Sequence, residues 1–244
     1  MKPIRRLRLA HGGNIRDLGG YETDQGQVTR FGCLLRGGTL QKLEAEEWDR
    51  LRSYGVRTIL DLRSSAEIAA NPDGVPEGME WYHCPMQKAQ IDETDILVSA
   101  EKAFQGSLTE GYYGMLMQNG DLLAAAIKTL VASLEKGAVL FHCSAGKDRT
   151  GVLASSILYL CGISAEDIIA DYEVSYTYNK RGMEKMLLLL EPAARENLLP
   201  YLCSNAENME KQVTSYREVN LADYLGQYGL TGEEIRKLKQ HFLY

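Results

Sequence analysis

Hydrophobic and polar positions along the chain switch repeatedly between a period near two and a period near 3.6, and the switches mark out its elements. Val56 to Leu62, Ala138 to Phe141 and Glu80 to Cys84 are short segments, too brief for helices and suited to strands, the first two buried. The third follows a Pro/Gly-rich turn, Asn71-Pro-Asp-Gly-Val-Pro76. Helical spacing occupies Thr39 to Tyr54, with Thr39 as N-cap, Leu40, Leu43, Trp48 and Leu51 as the apolar stripe, and Gly55 as the stop. Asp121 to Glu135 is a clearer helix, closed by Gly137. Residues 92–118 are expected to hold one or two helices broken around Gly106 and Gly111. Gly151 to Leu160 reads as a buried helix ending at Gly162. Arg5 to Leu9 and Val28 to Leu35, around the turn Thr23-Asp-Gln-Gly26, predict short antiparallel strands or a hairpin at the rim of the sheet.

Strand and helix alternate, which predicts an α/β fold with a central, mostly parallel sheet flanked by helices. The remainder is helix-rich. Ser164-Ala-Glu-Asp167 is a capping box opening a helix that runs toward Leu190. Three or four more helices fit before Tyr244, the last opened by Thr231. With no repeat, low-complexity tract or linker, residues 1–244 read as a single domain.

Composition changes this picture in two places. A net charge of −6 over 244 residues gives no basic footprint for nucleic acid. Five unpaired-looking cysteines, at 33, 84, 143, 161 and 203, point to a reducing compartment, and the start of the chain shows no apolar signal segment, so the expected location is cytoplasmic. No apolar run approaches the roughly 20 residues of a membrane span. Lys2, Arg5, Arg6 and Arg8 form a basic cluster that could touch an anionic lipid surface, although a solvated edge blunted by charge is the preferred reading.

The chemistry concentrates in His142-Cys-Ser-Ala-Gly-Lys-Asp-Arg-Thr-Gly151, the turn between a strand and a helix. Such a turn gathers backbone N–H groups and a positive helix end around one point, an anion nest. Cys143 beside those donors and a guanidinium is expected to be a thiolate near neutral pH. Arg149, six positions on, can share an oxyanion with it and match two phosphate oxygens. Thr150 is placed to donate its hydroxyl to the sulfur when the sulfur leaves.

Cys-x5-Arg-Thr after a hydrophobic strand resembles the signature of the cysteine-dependent protein tyrosine phosphatase superfamily. The longer form, with Gly146-Lys-Asp-Arg-Thr-Gly151, is similar to its bacterial atypical branch. Asn14-Ile-Arg-Asp-Leu-Gly-Gly20, Gly32-Cys-Leu-Leu-Arg-Gly-Gly38, Thr58 to Glu67, Asp171-Tyr172 and Asp223 to Leu230 extend the resemblance over most of the chain. It implies a phosphomonoester hydrolase acting on phosphotyrosine, phosphoserine/threonine or phosphoinositide substrates through phosphocysteine, without metal or organic cofactor. Cys143 would be the nucleophile, with Ser144, Ala145, Gly146, Lys147, Asp148, Arg149 and Thr150 around the phosphate. Relatives carrying the Lys147 type of residue accept multiply phosphorylated substrates, which tips Lys147 toward substrate contact. Asp148 is favoured as general acid. Asp61, at a strand end beside Arg63, is the rival, and both Asp61 and Arg63 also fit a loop-bracing role.

Plainer readings stand beside these. Cys33, Cys84, Cys161 and Cys203 are taken as small buried hydrophobes. The pairs His83-Cys84 and His142-Cys143 put adjacent residues on opposite strand faces, a poor metal site. His142 is expected instead to orient the turn through a buried hydrogen bond. Gly146-Lys147 lacks the earlier glycine and following Ser/Thr of a nucleotide-binding loop. Arg16 and Asp17 read as a turn held by an ion pair, and Tyr172, Tyr176 and Tyr178 as helix packing or, less favoured, a cleft lining. Two other functional classes remain open at this point, a rhodanese-type sulfurtransferase and an inactive phosphate-binding module.

Overall fold

The computed structural model describes residues 5–87 and 107–244. Its centre is a five-stranded sheet. β1 (Arg16–Asp17) runs antiparallel to β2 (Leu34–Gly37), and β2, β3 (Val56–Asp61), β4 (Glu80–His83) and β5 (Ala138–His142) are parallel, in the order β1-β2-β5-β3-β4. Helices α1 (Ala45–Tyr54) and α2 (Ser65–Ala70) precede the gap in the described chain; α3 (Leu108–Gln118) and α4 (Gly120–Ser133) follow it. α5 (Asp148–Leu160), α6 (Ala165–Leu187), α7 (Pro192–Leu202), α8 (Ala206–Glu218), α9 (Leu221–Gly226) and α10 (Gly232–Phe242) complete the fold. The expected α/β architecture with a helix-rich second half is what the chain adopts.

The pleat sorts side chains between two cores. Leu34, Leu60, Val139 and Phe141 enter the larger one, with α3 to α6 and the C-terminal helices. Leu35, Ile59 and Leu140 enter the smaller one, against Trp48 and Leu51 of α1. β5 is buried at all five positions because strands and helices cover it on every side. It lies between β2 and β3, so Gly37 and Asp61 both pair with His142 at its carboxyl end. Loops after β2, β3 and β5 therefore converge at one point, where open α/β sheets carry their sites.

Several boundaries differ from the expectations. Arg5 to Leu9 is no strand; it makes one isolated bridge, Arg6 to Arg16. Thr39 is not an N-cap: α1 starts at Ala45 behind a capping box formed by Glu44 and Glu47. Thr39 instead gives its N–H to the Ser144 carbonyl (3.0 Å). Gly111 lies buried inside α3 rather than breaking it, and residues 92–106 of that expectation fall outside the described chain. α5 begins three residues earlier than Gly151, at Asp148, so the Asp-Arg-Thr triplet is its first turn. Ser164 caps α6 by accepting from the Asp167 N–H (3.1 Å). Among the described residues no helix is long and apolar enough to cross a membrane.

Candidate active site

The loop between β5 and α5 is shaped from outside. The Ser144 carbonyl accepts from Thr39 N–H, and the Ala145 carbonyl from Asn14 (3.1 Å) and Asn179 (2.9 Å). The Gly146 carbonyl accepts from Asn14 (2.9 Å) and Arg36 (3.0 Å), and the Lys147 carbonyl from Arg36 (3.4 Å). Because each peptide is planar and trans, a carbonyl held outward turns the next N–H the opposite way. The N–H groups of Ala145, Gly146, Lys147 and Asp148 are thus turned away from those partners, next to the start of α5. Gly146 makes the curvature possible: its φ is +65°, and a Cβ there would lie 2.4 Å from the backbone of Gly37.

Asn14 and Arg36 are themselves fixed by a sealed ion cluster. Asp171 of α6 accepts from Arg16 Nε (2.8 Å) and Arg36 Nη1 (2.5 Å), and all three side chains are at most 2% exposed. Arg16 also donates to Asn14 Oδ1 (2.5 Å) and to Ser175 (3.0 Å). Burial works against the Asp171 charge, but the two guanidinium groups outweigh it and hold the carboxyl far below its usual range. Burial and then the neighbouring Arg16 lower Arg36 to about 10. The expected Arg16–Asp17 ion pair is replaced by this cluster. Asp17 accepts from Gly19 N–H (2.7 Å), Gly32 N–H (2.7 Å) and Tyr54 OH (2.8 Å).

Cys143 sits at the base of the loop, 2% exposed, below the exposed Ser144 and Ala145. Arg149 projects from the first turn of α5 and is partly exposed. Its fork grips Glu67 with both terminal nitrogens, Nη2 to Oε1 at 2.7 Å, and Ser144 Oγ bonds the same carboxylate. Burial opposes the Arg149 charge; the hydrogen-bonded Glu67 carboxylate more than offsets it and raises its pKa. Burial likewise opposes the Glu67 carboxylate, and Arg149 and Ser144 bring it down to about 2. Glu67 also closes the α2 capping box with Ser64 (2.8 Å), so one side chain fixes a helix start and the arginine.

Asp148 and Asp61 occupy unlike places. Asp148 is 18% exposed; its Oδ1 accepts from Tyr112 OH (2.6 Å) and lies 3.2 Å from Lys147 Nζ. Asp61 is fully buried, bound by Arg63 through Nη2 (2.6 Å) and Nε (2.9 Å). Burial raises the Asp61 pKa, but Arg63 and His142 carry it below its usual value. Arg63 also meets Asp73 (2.7 Å), and His142 Nε2 is 3.0 Å from Asp73. Asp61, Asp73 and His142 have ligand-type spacing, yet the Arg63 guanidinium already supplies the positive charge among them. His142 Nδ1 lies 3.3 Å from the Cys143 carbonyl, the orienting contact expected of it.

Lys147 does not reach for the mouth. Its side chain is 4% exposed, and Nζ binds the carbonyls of Tyr201 (2.5 Å) and Cys203 (3.0 Å) at the end of α7. Negative helix-end carbonyls draw the ammonium inward, so Lys147 offers the loop its N–H rather than its charge. Thr150 Oγ1 is buried without a hydrogen-bond partner among the described residues. Tyr172 is buried against Tyr112 (2.8 Å between hydroxyls), and Tyr178 lies under Arg6 (3.9 Å). Arg5 stacks on Tyr21 (4.2 Å), so two of the basic cluster's residues cover rings; Lys2 lies outside the described residues. Burial pushes Cys33 and Cys161 up to about 12 and Cys84 to about 11, as inert thiols require.

Glu67, Asn14, Arg36, Asn179 and Tyr112 have no assigned part in the sequence reading. For Glu67 a signal existed: Ser64-Ser-Ala-Glu67 is a capping box, and a capping glutamate is anchored in place. The others act across 34 to 132 residues of sequence, which no local pattern encodes.

Comparison with known proteins gives the family. Residues 7–244 match the pattern of the tyrosine phosphatase family. A candidate tyrosine-protein phosphatase of Cupriavidus necator is 29% identical, over 76% of this chain and 70% of its own length. The triple specificity protein phosphatase PtpB of Mycobacterium tuberculosis is 31% identical, over 65% of each chain. A tyrosine-protein phosphatase of Nostoc commune is also 31% identical, over 60% of this chain, which spans about half (49%) of that relative.

Proposed function

The chain belongs to the tyrosine phosphatase family, and from that premise we propose that it hydrolyses phosphomonoesters through a phosphocysteine formed on Cys143. The observation that carries the reading is the loop that starts at Cys143, whose carbonyls are tied by Thr39, Asn14, Asn179 and Arg36 so that the following N–H groups turn the other way, with the Arg149 fork already bound to an oxyanion, Glu67. In the first step Cys143 sulfur attacks phosphorus, and the bond to the leaving oxygen breaks. The N–H groups from Ser144 to Arg149 and the Arg149 fork take up the charge on the equatorial oxygens, where most of the acceleration arises. Arg149 has only to turn its fork from Glu67 to phosphate, since carboxylate and phosphate both present a pair of oxygens to it.

Asp148 gives the leaving oxygen its proton, and in the second step its carboxylate takes one from the attacking water. Its partial exposure suits the role. Asp61 is assigned the bracing part: its carboxylate is bound by Arg63 and away from solvent. The buried, unpartnered Thr150 hydroxyl is available to the sulfur as it departs.

Beside Asp148 opens a cavity of about 260 Å³ whose walls include Met183, Met186, Tyr201 and Leu202. Apolar walls there favour an aromatic leaving group such as phosphotyrosine. A headgroup with several phosphates would want a second cation at the mouth, and Lys147 is committed to α7 carbonyls. Phosphotyrosine protein is therefore the favoured substrate over phosphoinositide. The test is release of phosphate from a phosphotyrosine peptide in the presence of chelator, against Cys143→Ser. Loss of turnover in the variant is expected; turnover surviving in it refutes the mechanism.

A further inference from the structure

Three helices, α3, α6 and α8, send hydroxyl and amide donors in one direction toward Asp148. Thr109 Oγ1 of α3 donates to Asn208 Oδ1 of α8 (2.8 Å), which leaves the Asn208 amide nitrogen as its donor. That amide donates to the Tyr172 hydroxyl of α6. The Tyr172 and Tyr112 hydroxyls are 2.8 Å apart, and Tyr112 OH stands 2.6 Å from Asp148 Oδ1. A phenol has one proton, and the shorter contact to a carboxylate claims it. Tyr172 must then donate to Tyr112, and the chain runs Asn208, Tyr172, Tyr112, Asp148.

We propose that Tyr112 is a positioning residue for proton transfer by Asp148, fixing which carboxyl oxygen faces the substrate and stabilising the charge that transfer leaves behind. The inference rests on the reading of Asp148 as the acid. Among the described residues both contacts of the carboxyl group, Tyr112 and Lys147, fall on Oδ1. Oδ2 is left for the cavity that Asp148 helps to line. As the proton moves from Oδ2 to the leaving oxygen, that O–H bond breaks and negative charge spreads over the carboxylate. The hydrogen bond from Tyr112 then changes from neutral to charge-assisted, so it is stronger in the transition state than before it. Tyr112 stays a donor throughout. It is wholly buried, and burial first, then the Asp148 charge, hold its phenol well above its usual pKa. The donors behind it polarise its O–H further.

Help to an acid matters in proportion to how badly the leaving group needs a proton, and that separates positioning from mere packing. The measurement is kcat/KM for phenyl phosphate, a poor leaving group, and p-nitrophenyl phosphate, a good one. It is made on wild type, Tyr112→Phe, Asp148→Asn and the double variant, with inhibition by vanadate as the check that the anion nest is intact. Tyr112→Phe is expected to lose about tenfold on phenyl phosphate and less than about threefold on p-nitrophenyl phosphate. The double variant is expected to be no worse than Asp148→Asn alone. Equal losses on both substrates, or a further loss in the double variant, would overturn the inference while leaving the phosphatase reading in place. If Asp148→Asn itself shows equal losses, the acid assignment fails and this inference with it. Should Tyr112→Phe not fold, Tyr172→Phe removes the next donor, and the same uneven pattern, smaller, is expected; an even pattern there counts against the proposal.

Discussion

Two carboxylate–arginine groupings flank the loop, and they differ in what water can reach. Asp171 with Arg16 and Arg36 is sealed, no side chain more than 2% exposed, and spreads over β1, β2 and α6. Glu67 with Arg149 lies at the mouth, 7% and 15% exposed, and joins α2 to α5. Desolvated charges that have lost water must keep their partners, so the first grouping is a fixed strut whose Arg36 holds the Gly146 carbonyl. A pair at an opening can exchange partners. On the proposed mechanism Glu67 stands where Arg149 would otherwise meet the phosphate, and it holds the guanidinium fork in place. Rigidity and readiness are built from the same residue types by burial alone.

Breaking each grouping should therefore give opposite signatures. Arg149→Lys keeps a charge but loses the planar fork; a fall of about 10²–10³-fold in kcat is expected with little change in melting temperature. Comparable activity in that variant would remove Arg149 from the chemistry. Asp171→Asn should instead act on stability, by about 3–5 kcal/mol in denaturant unfolding, because two buried guanidinium groups lose their counter-charge. Unchanged stability would mean that the cluster is not the strut described. Glu67→Gln is intermediate, with about a tenfold loss in kcat/KM expected from a misaimed guanidinium.

The smallest effect is one of pH. The Glu67 carboxyl is brought from 4.5 to about 2 in the folded chain, so its contribution is complete above pH 4.5 and is lost as pH falls toward 2. The stability gap between wild type and Glu67→Gln should stay constant above pH 4.5 and shrink below it. A gap that widens on acidification contradicts the assigned pairing.

The same contrast explains how far the sequence could be read. The parallel strands, α4 and the Cys143 to Thr150 loop were legible because each is written in a local period or spacing. Thr39 was misplaced because a threonine before an apolar stripe looks like a cap, whereas α1 starts at Ala45 behind Glu44 and Thr39 gives its N–H to the Ser144 carbonyl. The place of the Lys147 ammonium was hidden for a similar reason: the carbonyls that hold it belong to a helix end 54 to 56 residues later. Arg16 and Asp17 looked like partners as neighbours, yet adjacent strand residues face opposite ways and find separate partners. Contacts made by tertiary packing were the part that spacing left unread.

The central claim is that Cys143 carries the phosphoryl group between the two steps. Acid quenching during turnover of a phosphotyrosine peptide, followed by digestion and mass spectrometry, tests it most directly. One added phosphoryl group on the Cys143 peptide, absent from Cys143→Ser, is the expected result. Label on any other residue, or continued turnover in Cys143→Ser, would contradict the account.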